Sequence, residues 1–489
     1  MSSPAHAKVE APERSERFLT RLQSSAPSVA VTTGANDRLA RSRDRWPEAA
    51  KWSDNDQERH LPAAVVAPAS VEDVAKVLQI AHDEGISVVP FGAGSGVVGG
   101  VVNDGLFISL DLGSLNEAPV FDDERGEVTA GAGMLAADLE AALNARGRRI
   151  PHYPQSLALA SVGGLVATKS SGTFSSKYGN IEDLLVALEV VLADGTIVRT
   201  HAVPRSSTGP GIAQLFVGSE GTLGVITSVT LRTFPLARAS RFRGVAFDEL
   251  ADGLATVRGV LDAGVTPAVI RLYDGDEAAH IYERAGIDGE GRALLILGHD
   301  GHEAVTATEE AVALSVAADH RGTDLGTGPG ETWERTRFDA SWLDRGNAGE
   351  TNIADAIEVS AGWPELAGLH SRVLTAMAPY VDKAYAHYSH FYPNGGAVYF
   401  IFFTSGKDRE EVLERYRQAW NAALQAVVAT GGSVSHHHGV GEARKDWMSQ
   451  EHGTALQVLE KIKDALDPAG VLSPGKLGIA ARVNGQNND

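Results

Sequence analysis

Residues 154–183, PQSLALASVGGLVATKSSGTFSSKYGNIED, restrict what this chain can fold into more than any other stretch. Of the 28 residues from 154 to 181, four are Gly, six Ser and two Thr, so side chains barely obstruct the backbone. Gly permits close approach and Ser and Thr supply short donors, so the stretch can lie directly against a flat or phosphate-bearing ligand. A flexible linker shares these small residues, but it would not carry LALASVGGLVAT, which is apolar enough to be buried.

Two more Gly-rich turns lie at 90–100 and 218–224. Three such loops in one chain suggest a large nucleotide wrapped by backbone. The first follows a buried strand, ISVVP, and runs through Gly92, Ala93, Gly94, Ser95 and Gly96. Its spacing is not the dinucleotide fingerprint, because no GxGxxG opens an apolar helix with an acid about twenty residues on; it also lacks the GK[ST] of a P-loop.

The surrounding text alternates strand and helix. Val71, Val74, Val77, Leu78 and Ala81 share one helical face, started by Ser70 and stopped by Gly85. Residues 184–193 and IVRT around Asp194-Gly195 predict a hairpin. Near 234–235 the small-residue loops end and mixed α/β text follows, with strands at 269–273 and 293–298 and helices at 303–318, 363–377 and 409–430. Residues up to Arg14 read as weakly ordered, followed by one or two helices in which Phe18, Leu19 and Leu22 form a short apolar face.

At 489 residues, two or three domains are expected. Lys plus Arg number 43 against 63 Asp plus Glu, a net −20, which argues against nucleic acid or an anionic membrane surface as a broad partner. A bound phosphate must then be held locally, by amides, helix ends or a few Arg. The chain has no Cys, which excludes disulfides, Cys-type zinc sites, iron–sulfur clusters and thiol nucleophiles. The polar N-terminus has no signal-peptide core and the longest apolar run, 184–193, is too short to span a bilayer, so the expected compartment is the cytoplasm.

PFGAGSGV, the 154–183 stretch and GSEGTLGVIT, in that order, resemble the FAD-binding domain of the vanillyl-alcohol oxidase and p-cresol methylhydroxylase (PCMH) superfamily. The resemblance implies an α+β fold: a two-subdomain PCMH-type FAD-binding domain plus an α+β cap, the FAD-linked oxidase C-terminal domain. The expected division is an N-terminal segment 1–45, partly disordered or helical, the FAD domain 46–235, the cap 236–430, and a segment 431–489 returning to the FAD domain. Carried over, Pro90, Phe91, Gly92, Ala93, Gly94, Ser95 and Gly96 contact the pyrophosphate. Pro154, Gln155, Ser156, Leu157, Ala158, Leu159, Ala160, Gly163 and Gly164 wrap the rest of the cofactor. So do Ala167, Thr168, Lys169, Ser170, Ser171, Gly172, Tyr178, Gly179 and Asn180, and also Glu220, Gly221, Thr222, Leu223, Gly224, Val225 and Ile226.

HYSHFYPNGGAVYF, SHHHGVG, the WERTRF segment and the IRLYD strand resemble the alkylglycerone-phosphate synthases, flavoenzymes of ether-lipid synthesis. That resemblance implies FAD used without net redox change: acyl-dihydroxyacetone phosphate loses a C1 proton, flavin N5 traps the carbon, carboxylate leaves and a fatty alcohol replaces it. Tyr399 would be the acid/base near C1, with His436, His437 and His438 its histidine cluster. Arg337 would be a substrate-phosphate ligand and Arg271 a structural or active-site arginine. A homodimer acting on a small or lipid-like substrate is implied, with peripheral membrane contact compatible and no nucleic acid.

The residues also have readings of their own. His passes protons near neutrality, and buried Tyr needs a partner to do so. If the HHH segment is extended, His436 and His438 share a face while His437 turns away. No third ligand lies near the HxH, so no metal site is expected. Arg337 reads as a charge on an exposed helix. The competing function is an FAD-dependent oxidase or dehydrogenase of a D-2-hydroxy acid, such as lactate or glycolate, or of another hydroxylated small molecule. Relatives of that type show HxGDGNxH and EHG; His390 survives here, but FYPNGGAVY and SHHHG stand where the rest would be. A flavoprotein without catalysis, acting as a binding subunit, is the other alternative.

Members that attach FAD through histidine often have a His beside the first loop, and 88–100 has none. The flavin is therefore expected to be non-covalent. Acid precipitation should leave the yellow colour in the supernatant; colour in the pellet would refute this.

Overall fold

Ser70 accepts a hydrogen bond from the Asp73 amide and starts the helix Val71–Glu84, which stops at Gly85 in the left-handed region (φ 63°). In the computed structural model, which describes residues 11–289 and 291–481, this helix covers a four-stranded sheet. The strands stand in the order Ala30–Thr32, Ala64–Ala67, Phe107–Asp111, Ser87–Phe91, all parallel but the first. A second, antiparallel sheet orders Val120–Asp122, Glu127–Gly131, Val225–Arg232, Leu185–Val191 and Ile197–Arg199, the last two being the expected hairpin. These two sheets form the first unit.

The segment before residue 46 is built into that unit. Phe18 and Leu22, on the helix Ala11–Ser25, are buried against Val77 and Leu78, and Ala30–Thr32 supplies an edge strand. The boundary expected at 46 thus falls inside the first unit, because an apolar helix face and an open sheet edge both need a partner. The weakly ordered text up to Arg14 falls partly in residues 1–10, outside the described residues. At the other end Val88 donates to Val471 O (2.8 Å) and Ser473 to Val88 O (3.0 Å), so the C-terminal segment also packs on the first sheet.

The second unit is a seven-stranded antiparallel sheet: Thr323–Asp324, Ala239–Phe247, Ala293–Gly301, Val269–Tyr273, Lys383–Tyr392, Gly395–Ser405 and Asn352–Gly362. Alternation decides its two faces. Ile270, Leu272, Ala386, Tyr388, Val398, Phe400, Ile357 and Val359 pack under the helices Leu250–Asp262, Trp363–Met377 and Arg409–Thr430. The residues between them point the other way, where Tyr273 and Val269 share a cluster with Phe174 of the first unit. No helix among the described residues is long and apolar enough to cross a membrane.

A buried ion pair joins the units. Arg149 reaches Asp300 at 2.6 Å, and the Tyr178 hydroxyl lies 2.8 Å from Arg149 and donates to Asp300 at 2.7 Å. Arg149→Met would leave Asp300 buried without its cation, a loss of about 3–5 kcal/mol. Urea unfolding followed by tryptophan fluorescence should show a clearly lower midpoint; an unchanged midpoint would mean the pair contributes nothing.

Candidate functional site

One row of side chains crosses four neighbouring strands of the large sheet, on the face away from its helices. Glu358 stands opposite Tyr399, Tyr399 opposite His387, and His387 opposite Tyr273. The His387 ring stacks on Tyr399 with centroids 4.7 Å apart. His387 Nδ1 lies 2.9 Å from Glu277, and its Nε2 receives Arg271, two residues along the Tyr273 strand. Guanidinium only donates, so His387 is neutral with its proton on Nδ1.

Glu358 organises the histidines. Its buried carboxylate accepts from the amides of His436 (2.5 Å) and His438 (2.7 Å) and from Arg444 (3.1 Å). These bonds bend residues 435–438, which are not strand. His437 consequently does not turn away, as an extended segment would require: its Nε2 lies 2.6 Å from the Tyr399 hydroxyl, and its Nδ1 is 2.7 Å from Nδ1 of His436. His438 stands edge-on to Tyr399 at 5.9 Å, with no hydrogen bond to it. Glu358, His387 and Arg444 are not singled out by the sequence; Glu358 and His387 are each a polar side chain inside a mostly apolar strand, while Arg444 lies on the short helix Gly441–Arg444 and carries no such signal.

Arg337 is not on an exposed helix. It caps Gly328–Thr336, donates to Thr173 at 2.9 Å, and its guanidinium sits 5.2 Å from the rings of both Tyr153 and Phe174. Arg271 and Arg337 lie 5.8 and 5.9 Å from the ring of Trp333. Arg271 Nε is buried without a partner. A desolvated guanidinium N–H left open favours an incoming anion.

The three small-residue loops nest into one another. A Cβ on Gly92 would stand 2.3 Å from the Ser161 hydroxyl, and one on Gly221 2.9 Å from the Pro90 ring. Gly218 and Glu220 donate to the carbonyls of Val166 and Ala167 at 3.0 and 2.9 Å. Ala93, Gln155, Ala158, Leu159 and Lys169 remain exposed. A cavity of about 460 Å³ opens beside the first loop, walled by Phe91, Ala93 and Gly94 and by Asn36, Leu39 and Arg43. Those last three lie before residue 46, in the N-terminal segment that packs onto the first unit. Backbone free of Cβ atoms, short hydroxyls and Arg43 suit a large phosphate-bearing cofactor, while Asp44 on the same wall spends its carboxylate on the amides of Trp46, Gly99 and Gly100.

Several expected cofactor residues are otherwise engaged. Leu223, Val225 and Ile226 bury their side chains in the cores, and Val225 and Ile226 also pair with Val191 and Val190 in the sheet. Tyr178 serves the ion pair between the units. Glu220 turns its carboxylate to the amides of Val440 (2.5 Å) and Gly441 (3.0 Å). Asn180 and Ser171 face Tyr392: the Asn180 amide donates to its hydroxyl at 3.0 Å, and Ser171 donates to Asn180 at 2.6 Å.

Burial governs the electrostatics. It holds His436 down at about 4 and His437 and His390 well below the ordinary imidazole range. It also raises Tyr399, with the Arg271 charge opposing. Burial works against the Glu358 charge, but Arg444 and then His438 outweigh it and leave that carboxyl below its usual range. The site at neutral pH is thus a neutral tyrosine on a neutral histidine, held by one buried carboxylate.

Residues 62–201 match the FAD binding domain family, and residues 236–477 match the C-terminal domain of FAD linked oxidases. The chain is 33% identical over 444 residues to the uncharacterized FAD-linked oxidoreductase YgcU of Escherichia coli (strain K12), covering 85% of this chain and 89% of that protein. It is 29% identical over 453 residues to the alkyldihydroxyacetonephosphate synthase of Caenorhabditis elegans, covering 85% and 76%. Substrate-bound p-cresol methylhydroxylase shares the fold, with a TM-score of 0.75 at 17% identity over 97% of this chain and 98% of that one.

Burial holds His152, His299 and His436 each near 4, below the unfolded value near 6.5. As pH falls through about 6.5 the unfolded chain takes up protons first, so this stability is complete above 6.5 and declines towards 4. His299, whose ring nitrogens have no hydrogen-bond partner, tests the point. His299→Leu should lose about 1–2 kcal/mol less than the parent between pH 7 and pH 5 in urea titrations. An equal loss would contradict it.

Proposed function

From the premise that this chain belongs to the FAD-linked oxidases and takes FAD as its cofactor, we propose that it is an alkylglycerone-phosphate synthase-like enzyme. It exchanges the acyl group of acyl-dihydroxyacetone phosphate for a fatty alcohol. The observation that carries this reading is the 2.6 Å contact between the Tyr399 hydroxyl and His437, on a sheet face that also presents Arg271.

Bound FAD supplies the electron-poor ring that the exchange needs; the chain's side chains do the rest. The carbon next to a ketone gives up its proton only to a base held within reach. Tyr399 takes that proton on its oxygen while passing its own to Nε2 of His437, so no phenolate has to persist in a buried place. Arg337, with Arg271 beside the same Trp333 ring, takes the phosphate, whose charge restores what burial costs the guanidinium. His390, 5.0 Å from His437, and Tyr153, beside Arg337, close the site against water. A fatty chain partitions into lipid, so peripheral membrane contact belongs to the same reading, as does a homodimer.

A second reading draws on the same contact. A tyrosine backed by histidine would equally take the proton of a hydroxyl, as oxidation of D-lactate or glycolate requires. Anaerobic protein given acyl-dihydroxyacetone phosphate and hexadecanol should form alkyl product with no dye reduced. Flavin bleaching by D-lactate or glycolate, with electrons delivered to a dye, would replace the first reading by the second.

Tyr399→Phe should lower kcat at least about 100-fold while FAD stays bound. Arg337→Met should act chiefly on KM for the phosphorylated substrate. Full activity in Tyr399→Phe would remove the role assigned to that residue.

A further inference from the structure

The hydrogen bonds at Tyr399 do not stop at His437. Tyr399 Oη lies 2.6 Å from His437 Nε2, His437 Nδ1 lies 2.7 Å from His436 Nδ1, and His436 Nε2 lies 2.9 Å from the Tyr392 hydroxyl. Every group on this path is a phenol or a neutral imidazole, and each has one proton to give and one lone pair to receive. The outer end is held in place: the Asn180 amide donates to the Tyr392 oxygen at 3.0 Å, and Ser171 fixes Asn180 at 2.6 Å. Tyr392 is also partly exposed, whereas His437 is buried.

We propose that Tyr399, His437, His436 and Tyr392 form a proton relay joining the reacting carbon to solvent, with Tyr392 as its outer terminus. The inference rests on the function proposed above. A proton arriving at the Tyr399 oxygen sends the phenol proton to His437 Nε2. The Nδ1 proton of His437 passes to Nδ1 of His436, the Nε2 proton of His436 passes to the Tyr392 oxygen, and Tyr392 releases its own proton to water. One proton enters, one leaves and no electron moves. The four groups end neutral with every hydrogen bond reversed, so the relay runs back when the product needs a proton.

The neighbouring imidazoles are outside the path. His438 Nδ1 has no hydrogen-bond partner, and His390 spends its Nδ1 on the Ser175 hydroxyl at 2.7 Å. Burial keeps His436 and His437 uncharged at neutral pH, the state in which an imidazole both donates and accepts. A histidine serving only to pack would have no need of a second histidine in line with it.

Tyr392→Phe, prepared as the full FAD-loaded chain, tests this. With acyl-dihydroxyacetone phosphate and hexadecanol its kcat should fall about 100-fold at unchanged KM. The curved dependence of rate on deuterium fraction expected for the parent should become linear. Parent rate and parent curvature in the variant overturn the relay. If Tyr392→Phe does not fold, His436→Gln, which keeps a polar side chain but passes no proton, should give the same two changes. Histidine ring ¹⁵N signals, read without substrate, separate the two proposals. In Tyr392→Phe the signals of both His436 and His437 should move together. Joint movement in a protein that makes no alkyl product refutes the function and keeps the relay; alkyl synthesis with only one ring or neither responding refutes the relay and keeps the function.

Discussion

The buried carboxylate of Glu358 is the interaction on which the site depends. It is fully enclosed, opposite Tyr399 in the sheet, and takes the amides of His436, His437 and His438, the Ser435 hydroxyl and Arg444 as its partners. Enclosing a carboxylate and a guanidinium costs several kcal/mol per ion before their attraction is counted. Hydrogen bonding to both ions offsets much of that cost, with Arg444 Nε left without a partner, and this bonding sets the path of residues 435–439. Arg444 repeats the logic from the other side: it donates to the Gly439 carbonyl at 2.9 Å and lies 5.0 Å from the Trp420 ring. A charged pair in this position therefore does little for net stability and a great deal for geometry, because it selects the bend that turns His437 towards Tyr399.

Much of the scaffold is legible in the sequence. The helices 363–377 and 409–430 form with the expected ends, and the helix at 71–84 has the cap and stop that Ser70 and Gly85 implied. These are long periodic segments with local end signals, which a sequence displays directly. The three loops were legible for a similar reason, since glycine in a dense row means close backbone approach. What stayed hidden is tertiary. Whether a triple histidine is extended or bent depends on Glu358, some 80 residues away and inside a strand whose text, NIADAIEVSAG, reads as ordinary half-buried alternation. The role of residues 30–32 as an edge strand was hidden likewise, because three residues carry too little pattern to claim a partner.

The alternation of the large sheet also explains why Arg271 and Tyr399 could be named from resemblance but not placed. Their strands are apolar almost throughout, and a side chain's face is set by pairing rather than by composition. Once Glu358, Tyr399, His387 and Tyr273 are in register, one face is given to helix packing and the other to the tyrosine and histidine cluster. A slip of one residue would exchange them.

The histidine loop is held from both units at once, and this ties the third small-residue loop to the Tyr399 and histidine cluster. Glu358 of the large sheet grips its first half, while Glu220, on the third small-residue loop, grips the amides of Val440 and Gly441. A Cβ on Gly439 would stand 2.6 Å from the Glu220 carboxylate, so the glycine is what lets the two loops meet. Glu220 itself stands at a left-handed φ of 49°, an unfavourable place for a residue with a side chain. Such strain persists where surrounding contacts over-determine the backbone. Here the two amide bonds do so, and they fix the distance between the third small-residue loop and the histidines at 436–438.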